Sequence, residues 1–134
     1  MSGAVKLVRN EELSSVAEYA YAATAQAPAR VVWTAGACPL DEHGATVAVG
    51  DYAGQAEQVM RNLVTALRGA GAELTDVVKT TVYVASTRQE DLVKAWEVVR
   101  SHMGGHDAPS TLLGVAVLGY DDQLVEVEAV AVTF

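Results

Sequence analysis

At 134 residues the chain is sized for one domain, residues 1–134, with a core of its own and no need of covalent staples. Its hydrophobic fraction of 51% and mean hydropathy of +0.19 are high for so small a domain, which implies apolar surface buried between subunits. A net charge of −8, with nine Lys and Arg forming no patch, argues against nucleic acid and anionic membranes, because neither is attracted to an acidic surface.

In chain order, residues 4–8 alternate briefly and predict an edge strand, and residues 14–25, with Tyr19 and Tyr21 on one parity, predict another. A turn at Gln26-Ala27-Pro28 leads to a strand over 30–35 that ends at Gly36, with Pro39 barring its continuation. After a loop at 41–44 comes a short strand expected over 47–49. Asp51 is a suitable N-cap for a helix whose stripe is Tyr52, Ala56, Val59, Met60, Leu63 and Leu67, stopped by Gly69-Ala70-Gly71. Residues 77–84, VVKTTVYV, carry the clearest strand signal. Thr87-Arg88-Gln89-Glu90 reads as a capping box, opening a second helix that buries Leu92, Trp96, Val99 and Met103 and stops at Gly104-Gly105. A strand over 109–118, a turn at 119–122 and a closing strand complete the chain.

That closing strand is two-faced. Alternation puts Val125, Val127, Ala129, Ala131 and Thr133 on one nearly apolar face. Leu124, Glu126, Glu128, Val130, Val132 and Phe134 share the other, where two carboxylates sit among apolar residues. Two helices cover one face of one sheet, so the other face needs a partner, and Val130, Val132 and Phe134 are expected to meet other subunits. A ferredoxin-like sheet also satisfies this element order.

Several chemistries lack support. His43, His102, His106 and Cys38 have no metal-ligand spacing, since Gly104-Gly105 interrupts the helix that would align the last two histidines. The glycines fit no phosphate-cradling loop, and Ser110 and Thr111 have no His–Asp relay. Cys38, the single cysteine, excludes an internal disulfide, fits a cytoplasmic location and reads as a packed thiol. The start of the chain does not look like a secretory signal, and no apolar run reaches the roughly 20 residues of a membrane span. The glutamates are the stronger signal, because an apolar setting disfavours the charged form of a carboxylate and suits it to proton transfer. A solvated carboxylate at the rim is the plainer alternative.

Four blocks occur together in order: AGACPL at 35–40, the helix from Gln55 to the glycines at 69–71, DVVKTTVYV at 76–84 and VEVEAVA at 125–131. In these the chain resembles the Rid family, the reactive intermediate deaminases also called YjgF or L-PSP endoribonuclease proteins. The resemblance implies an α+β chorismate-mutase-like fold, one mixed sheet with two helices on one face. It implies a homotrimer around a central barrel, with a small-molecule ligand in clefts between subunits and no cofactor. The best-studied branch hydrolyses imines and enamines to a keto acid and ammonia. By similarity Glu126 orients or activates water, while Tyr19, Ala35, Gly36, Trp96, Ser110 and Thr111 shape the cleft. Pro109 stands where that branch has a substrate-clamping arginine, and Ala35, Ala37 and Trp96 replace its polar cleft residues. Pro109 has no side-chain donor, and a charged hydrogen bond contributes about 1.5–3 kcal/mol. The expectation is therefore a hydrolase or deaminase for neutral or apolar imine-like metabolites. The competing reading is a non-catalytic trimer that binds or senses a small metabolite. Ribonuclease activity is disfavoured by the acidic surface.

Overall fold

A four-stranded mixed sheet in the order β3-β6-β4-β5 organises the molecule, built from β3 (Arg30–Trp33), β4 (Val77–Ala85), β5 (Ser110–Val115) and β6 (Val125–Thr133). The computed structural model describes residues 5–16, 18–27 and 30–134. Ala4, Ala17 and Pro28, which belong to the expected first strand, second strand and turn, lie outside the described residues. β6 is antiparallel to both neighbours, and β4 pairs parallel with β5. Helix α1 (Tyr52–Gly69) links β3 to β4 and α2 (Gln89–Met103) links β4 to β5. This order differs from the β-α-β-β-α-β order of a ferredoxin-like sheet. β1 (Val5–Val8) and β2 (Ala22–Ala25) form a separate antiparallel pair.

The core follows from the two periodicities. α1 turns Ala56, Val59, Met60, Leu63 and Leu67 towards the sheet, and α2 adds Ala95, Val99 and Met103. They meet Val125, Val127, Ala129 and Ala131 of β6 and Val77, Val82 and Val84 of β4. Each such Val, Leu or Met removed from water contributes about 1.5–3 kcal/mol. Asp51 caps α1, its Oδ1 accepting the Gly54 N–H at 2.9 Å.

Both helices lie on one face, and the opposite face stays open. It carries Glu126, Glu128 and Val130 of β6, Lys79, Thr81 and Tyr83 of β4, and Thr111 and Leu113 of β5, with Trp33 beside Val130. Trp33 is 73% exposed and Phe134 53% exposed, which agrees with a surface awaiting cover. Val132 departs from expectation: at 6% exposed it is already covered within the chain.

Other departures are local. Among the described residues, 14–16 and 18–21 form no strand, and β2 is what is seen of the strand expected over 14–25. Residues 47–49 are irregular, with a lone bridge between Leu40 and Thr46 beforehand. β5 stops at Val115 rather than continuing to residue 118. The capping box at Thr87 does not form. Arg88 occupies the N-cap without a side-chain cap, and Ser86 takes over, its Oγ accepting the Arg88 N–H at 2.9 Å and donating to Asp91 Oδ2 at 2.8 Å.

Gln55 fastens α1 to the turn before β6. Fully buried, it accepts the Leu124 N–H at 2.7 Å and donates to the Asp122 carbonyl at 2.8 Å. Leucine there would leave two backbone groups unpaired, each costing about 1–3 kcal/mol. Gln55→Leu is therefore expected to lower stability by about 2–4 kcal/mol. Urea unfolding checks this, and a loss below about 1 kcal/mol would count against the role assigned to the amide.

Candidate functional site

Burial of the inner face of β6 forces Glu126 and Glu128 outward, because a one-residue slip would exchange the two faces. Glu126 lies opposite Tyr83, and Glu128 lies opposite Thr81. The Tyr83 hydroxyl donates diagonally to Glu128 Oε2 at 3.2 Å. Burial, then the Glu128 charge and hydrogen bond, then Glu126, push the Tyr83 phenol above its ordinary range.

The surroundings of Glu126 are built from a distant part of the chain. Beyond β3, Ala37 bridges to Val127, its N–H donating at 2.7 Å and its carbonyl accepting at 3.2 Å. The bridge lays Gly36 against the Glu126 side chain. A Cβ at position 36 would fall 2.0 Å from Oε2, so no larger residue fits without moving the carboxylate. Asn62 of α1 pins the following segment, donating to the carbonyls of Cys38 at 2.8 Å and Leu40 at 2.9 Å. Gln58 in turn donates to Asn62 Oδ1 at 3.0 Å.

The two carboxylate oxygens differ. Oε1 accepts from Gln123 Nε2 at 3.0 Å and faces the Cys38 thiol at 3.5 Å. That thiol also lies 3.4 Å from the Gly36 carbonyl. Oε2 has no hydrogen-bond partner among the described residues and is not fully buried, so it keeps some access to solvent beside Gly36. Burial first, then the Glu126 charge and hydrogen bond, push the Cys38 thiol up to about 11, against a smaller opposing effect of Gln123. Gly36 and Cys38 also border an open depression of about 610 Å³ with Leu40, Gln58, Asn62 and Tyr120.

The remaining expected site residues form a second group. Tyr19 meets Trp96 edge to face, with ring centroids 6.1 Å apart, and Tyr21 at 6.2 Å. The Trp96 indole N–H donates to Glu18 Oε1 at 2.9 Å, and Arg100 reaches Glu18 Oε2 at 3.2 Å. Ala20 N–H donates to the Asp107 carbonyl at 2.8 Å, tying this segment to the start of β5. There the Pro109 carbonyl accepts from Thr80 N–H at 3.0 Å, and Ser110 Oγ accepts from Thr80 Oγ1 at 2.7 Å. Thr111 is exposed on the open face and accepts from Lys79 Nζ at 2.6 Å. Ser110 lies opposite Thr80, three positions from Tyr83, so it is roughly 10 Å along the strands from Glu126 and two strands across. Within one chain, Gly36 lies against Glu126, with Ala35 its chain neighbour, whereas Tyr19, Trp96, Pro109, Ser110 and Thr111 belong to the other group.

All four cations that could replace the missing arginine have partners elsewhere, Lys79 with Thr111 as above. Arg30 donates to the Ala70 carbonyl at 3.0 Å, His102 pairs with Glu57 at 2.9 Å, and His106 lies 2.7 Å from the Val77 carbonyl. Lys79 shares the open face with Glu126, four residues away from Tyr83 on β4. Among the described residues no cluster of three or more His, Cys, Asp or Glu is placed to hold a metal. Sequence reasoning passed over Gln123, and it read Cys38 as packing alone. Both approach Glu126 through chain reversals that periodicity does not register.

The chain is thus an open-faced α+β sheet with two helices on one side and, on the other, a strand carboxylate seated against a glycine. The comparisons place it further. The family model described as "Endoribonuclease L-PSP" matches residues 10–133, and the chain belongs to this family, the Rid/YjgF proteins. A RutC family protein of Pyrococcus abyssi is 34% identical over 100 residues, covering 75% of this chain and 76% of that protein. The 2-iminobutanoate/2-iminopropanoate deaminase of Rattus norvegicus is 30% identical over 103 residues, covering 77% and 73%. The solved structure of the Rid family protein YyfB from Yersinia pestis superposes with a TM-score of 0.87 at 28% identity, covering 96% of this chain and 98% of that one. No helix of the described residues is long and apolar enough to cross a membrane.

Because the glycine leaves room for a carboxylate held in place, Gly36→Ala should disturb the site more than the fold. The expected outcome is a melting temperature within about 5 °C of the parent, with activity or ligand binding reduced at least about tenfold. Thermal melting read beside the functional assay separates the two effects, and unchanged function would remove Gly36 from the site.

Proposed function

We propose that the protein hydrolyses small imine-like metabolites of neutral or apolar character, with Glu126 handling the attacking water. The observation that carries this reading is the unequal carboxylate, one oxygen held and the other, beside Gly36, without a partner among the described residues. In the reaction Oε2 orients water towards the imine carbon and accepts a proton as the C–O bond forms. That proton passes to nitrogen to give a carbinolamine; as its C–N bond breaks and the C=O bond forms, the hydroxyl proton is also transferred to nitrogen, so water plus imine yield a carbonyl compound and ammonia. The deaminase named among the relatives supports this reaction class. Pro109 supports the substrate class, because the start of β5 offers no side-chain donor to a substrate carboxylate.

The separation of the site residues into two groups supports a site completed between copies of the chain, with the open sheet face turned towards neighbours. The assembly proposed is a homotrimer with the ligand at each subunit boundary. Sedimentation velocity at micromolar concentration is expected to give three times the chain mass, and a stable monomer would overturn the arrangement.

Turnover is tested, following ammonia release, with neutral imines generated in the assay by an amine oxidase from isobutylamine and phenethylamine, beside the carboxylate-bearing imines that an L-amino-acid oxidase forms from alanine, leucine, methionine and phenylalanine; the neutral imines are expected to be turned over faster. The larger apolar imines are expected to be favoured over that of alanine. Glu126→Gln should lower kcat by about a hundredfold or more, within the usual range for a general base. Equal rates in parent and variant would sink the role of Glu126. A second reading, a non-catalytic metabolite-binding trimer, is favoured by Ala35, Ala37 and Pro109, which leave the site without polar side chains to hold a substrate for turnover. Saturable binding of these amino acids or their keto acids without turnover would decide for it.

A further inference from the structure

Gln123, in the turn before β6, is 4% exposed, and its amide is fully committed. Its Oε1 accepts the Tyr120 N–H at 3.1 Å. Its Nε2 donates to the Val125 carbonyl at 3.1 Å and to Glu126 Oε1 at 3.0 Å, which uses both amide hydrogens. The backbone on either side is anchored to α1, because Gln55 bonds both Asp122 and Leu124. Asp122 itself adopts a left-handed φ of 60°, setting the bend from which the Gln123 side chain reaches back. A donor so constrained cannot follow its acceptor, so the acceptor is held by the donor.

The consequence falls on one oxygen. The Gln123 amide and the Cys38 thiol both approach Oε1, and neither approaches Oε2. A neutral amide fixes the carboxylate without supplying a full countercharge, which would weaken the carboxylate as a proton acceptor.

We propose that Gln123 is the positioning residue of this site: it fixes Glu126 Oε1 beside Cys38 so that Oε2 stays open above Gly36 for water. The catalytic part of this proposal rests on the reading of Glu126 given above, whereas the positional part does not. Cys38 provides a readout independent of any substrate.

The thiolate displaces iodide from iodoacetamide, so the alkylation rate at fixed pH rises as the thiol becomes more acidic. In the parent the rate should still be climbing towards about pH 11. In Glu126→Gln it should be faster at every pH between about 8 and 10, because the charge and hydrogen bond that raise the thiol are weakened. Gln123→Leu separates two cases by sign. If Gln123 holds Glu126, its loss releases the carboxylate from Cys38 and alkylation speeds up by about threefold or more. If Glu126 stays without it, Cys38 loses just the Gln123 contact that lowers its pKa, and alkylation slows or is unchanged, which overturns the proposal.

Turnover of the oxidase-generated imines is read in parallel. Gln123→Leu should lower kcat about tenfold with KM changed less than about twofold, and add nothing to the loss in Glu126→Gln. Parent kcat in Gln123→Leu overturns the functional part. Parent kcat in Glu126→Gln, with faster alkylation in Gln123→Leu, instead rejects Glu126 as the water-handling group and leaves the positioning intact. Should Gln123→Leu fail to fold, Gln123→Asn keeps an amide in the turn but ends about 1.5 Å short, and the same signs are expected.

Discussion

Alternation along β6 is the constraint on which the rest depends. Val125, Val127, Ala129 and Ala131 must be buried beneath two helices, and a strand cannot bury them without turning the intervening residues outward. The register that maximises burial on one face thus dictates where Glu126 and Glu128 project on the other. The pairings with β4 and with Ala37 then fix what each carboxylate meets. Glu128 meets the Tyr83 hydroxyl, and Glu126 meets Gly36, Cys38 and Gln123.

The difference between these two glutamates follows from their neighbours rather than from their own chemistry. Glu128 accepts a hydrogen bond from Tyr83, whose phenol is pushed above its ordinary range by burial and by the Glu128 charge, and the pair makes a polar contact on the open face. Glu126 has one oxygen occupied by protein donors and the other without one among the described residues, beside a residue that has no side chain. Such asymmetry suits a group that must accept a proton in one direction while keeping its place. Pro109 precedes β5 whereas Glu126 lies on β6, so in the proposed reaction the recognition of a substrate and the handling of water would fall on separate strands.

Much of the fold was legible in the residues. The stripe Ala56, Val59, Met60, Leu63 and Leu67, and the alternation in β4 and β6, correspond to burial against a single core. Expectations failed where local preference was weak or shared. Residues 47–49 are β-branched enough to suggest a strand, but pairing there stops after the Leu40–Thr46 bridge and the bond from the Val47 N–H to the Pro39 carbonyl at 2.9 Å. Thr87 fits a capping box, yet Ser86 reaches the same helix end with a hydroxyl already bonded to Asp91, and one donor set cannot have two caps. Val132 shares the parity of the open face but is covered inside the chain, because parity gives direction and not cover.

By itself the sequence determined the two-faced strand, the helices that close one side of it, and the presence of carboxylates on the other. These follow from short-range periodicity, which a linear chain displays directly. The partners of Glu126 were decided by tertiary structure alone. Cys38 lies 88 positions away along the chain, and it reaches the carboxylate because Ala37 bridges to Val127. Gln123 is three residues away, yet its reach depends on the left-handed bend at Asp122 and the anchoring by Gln55. Hydrogen-bond direction and closure of distant segments depend on relative position in space, and residue order does not encode that explicitly.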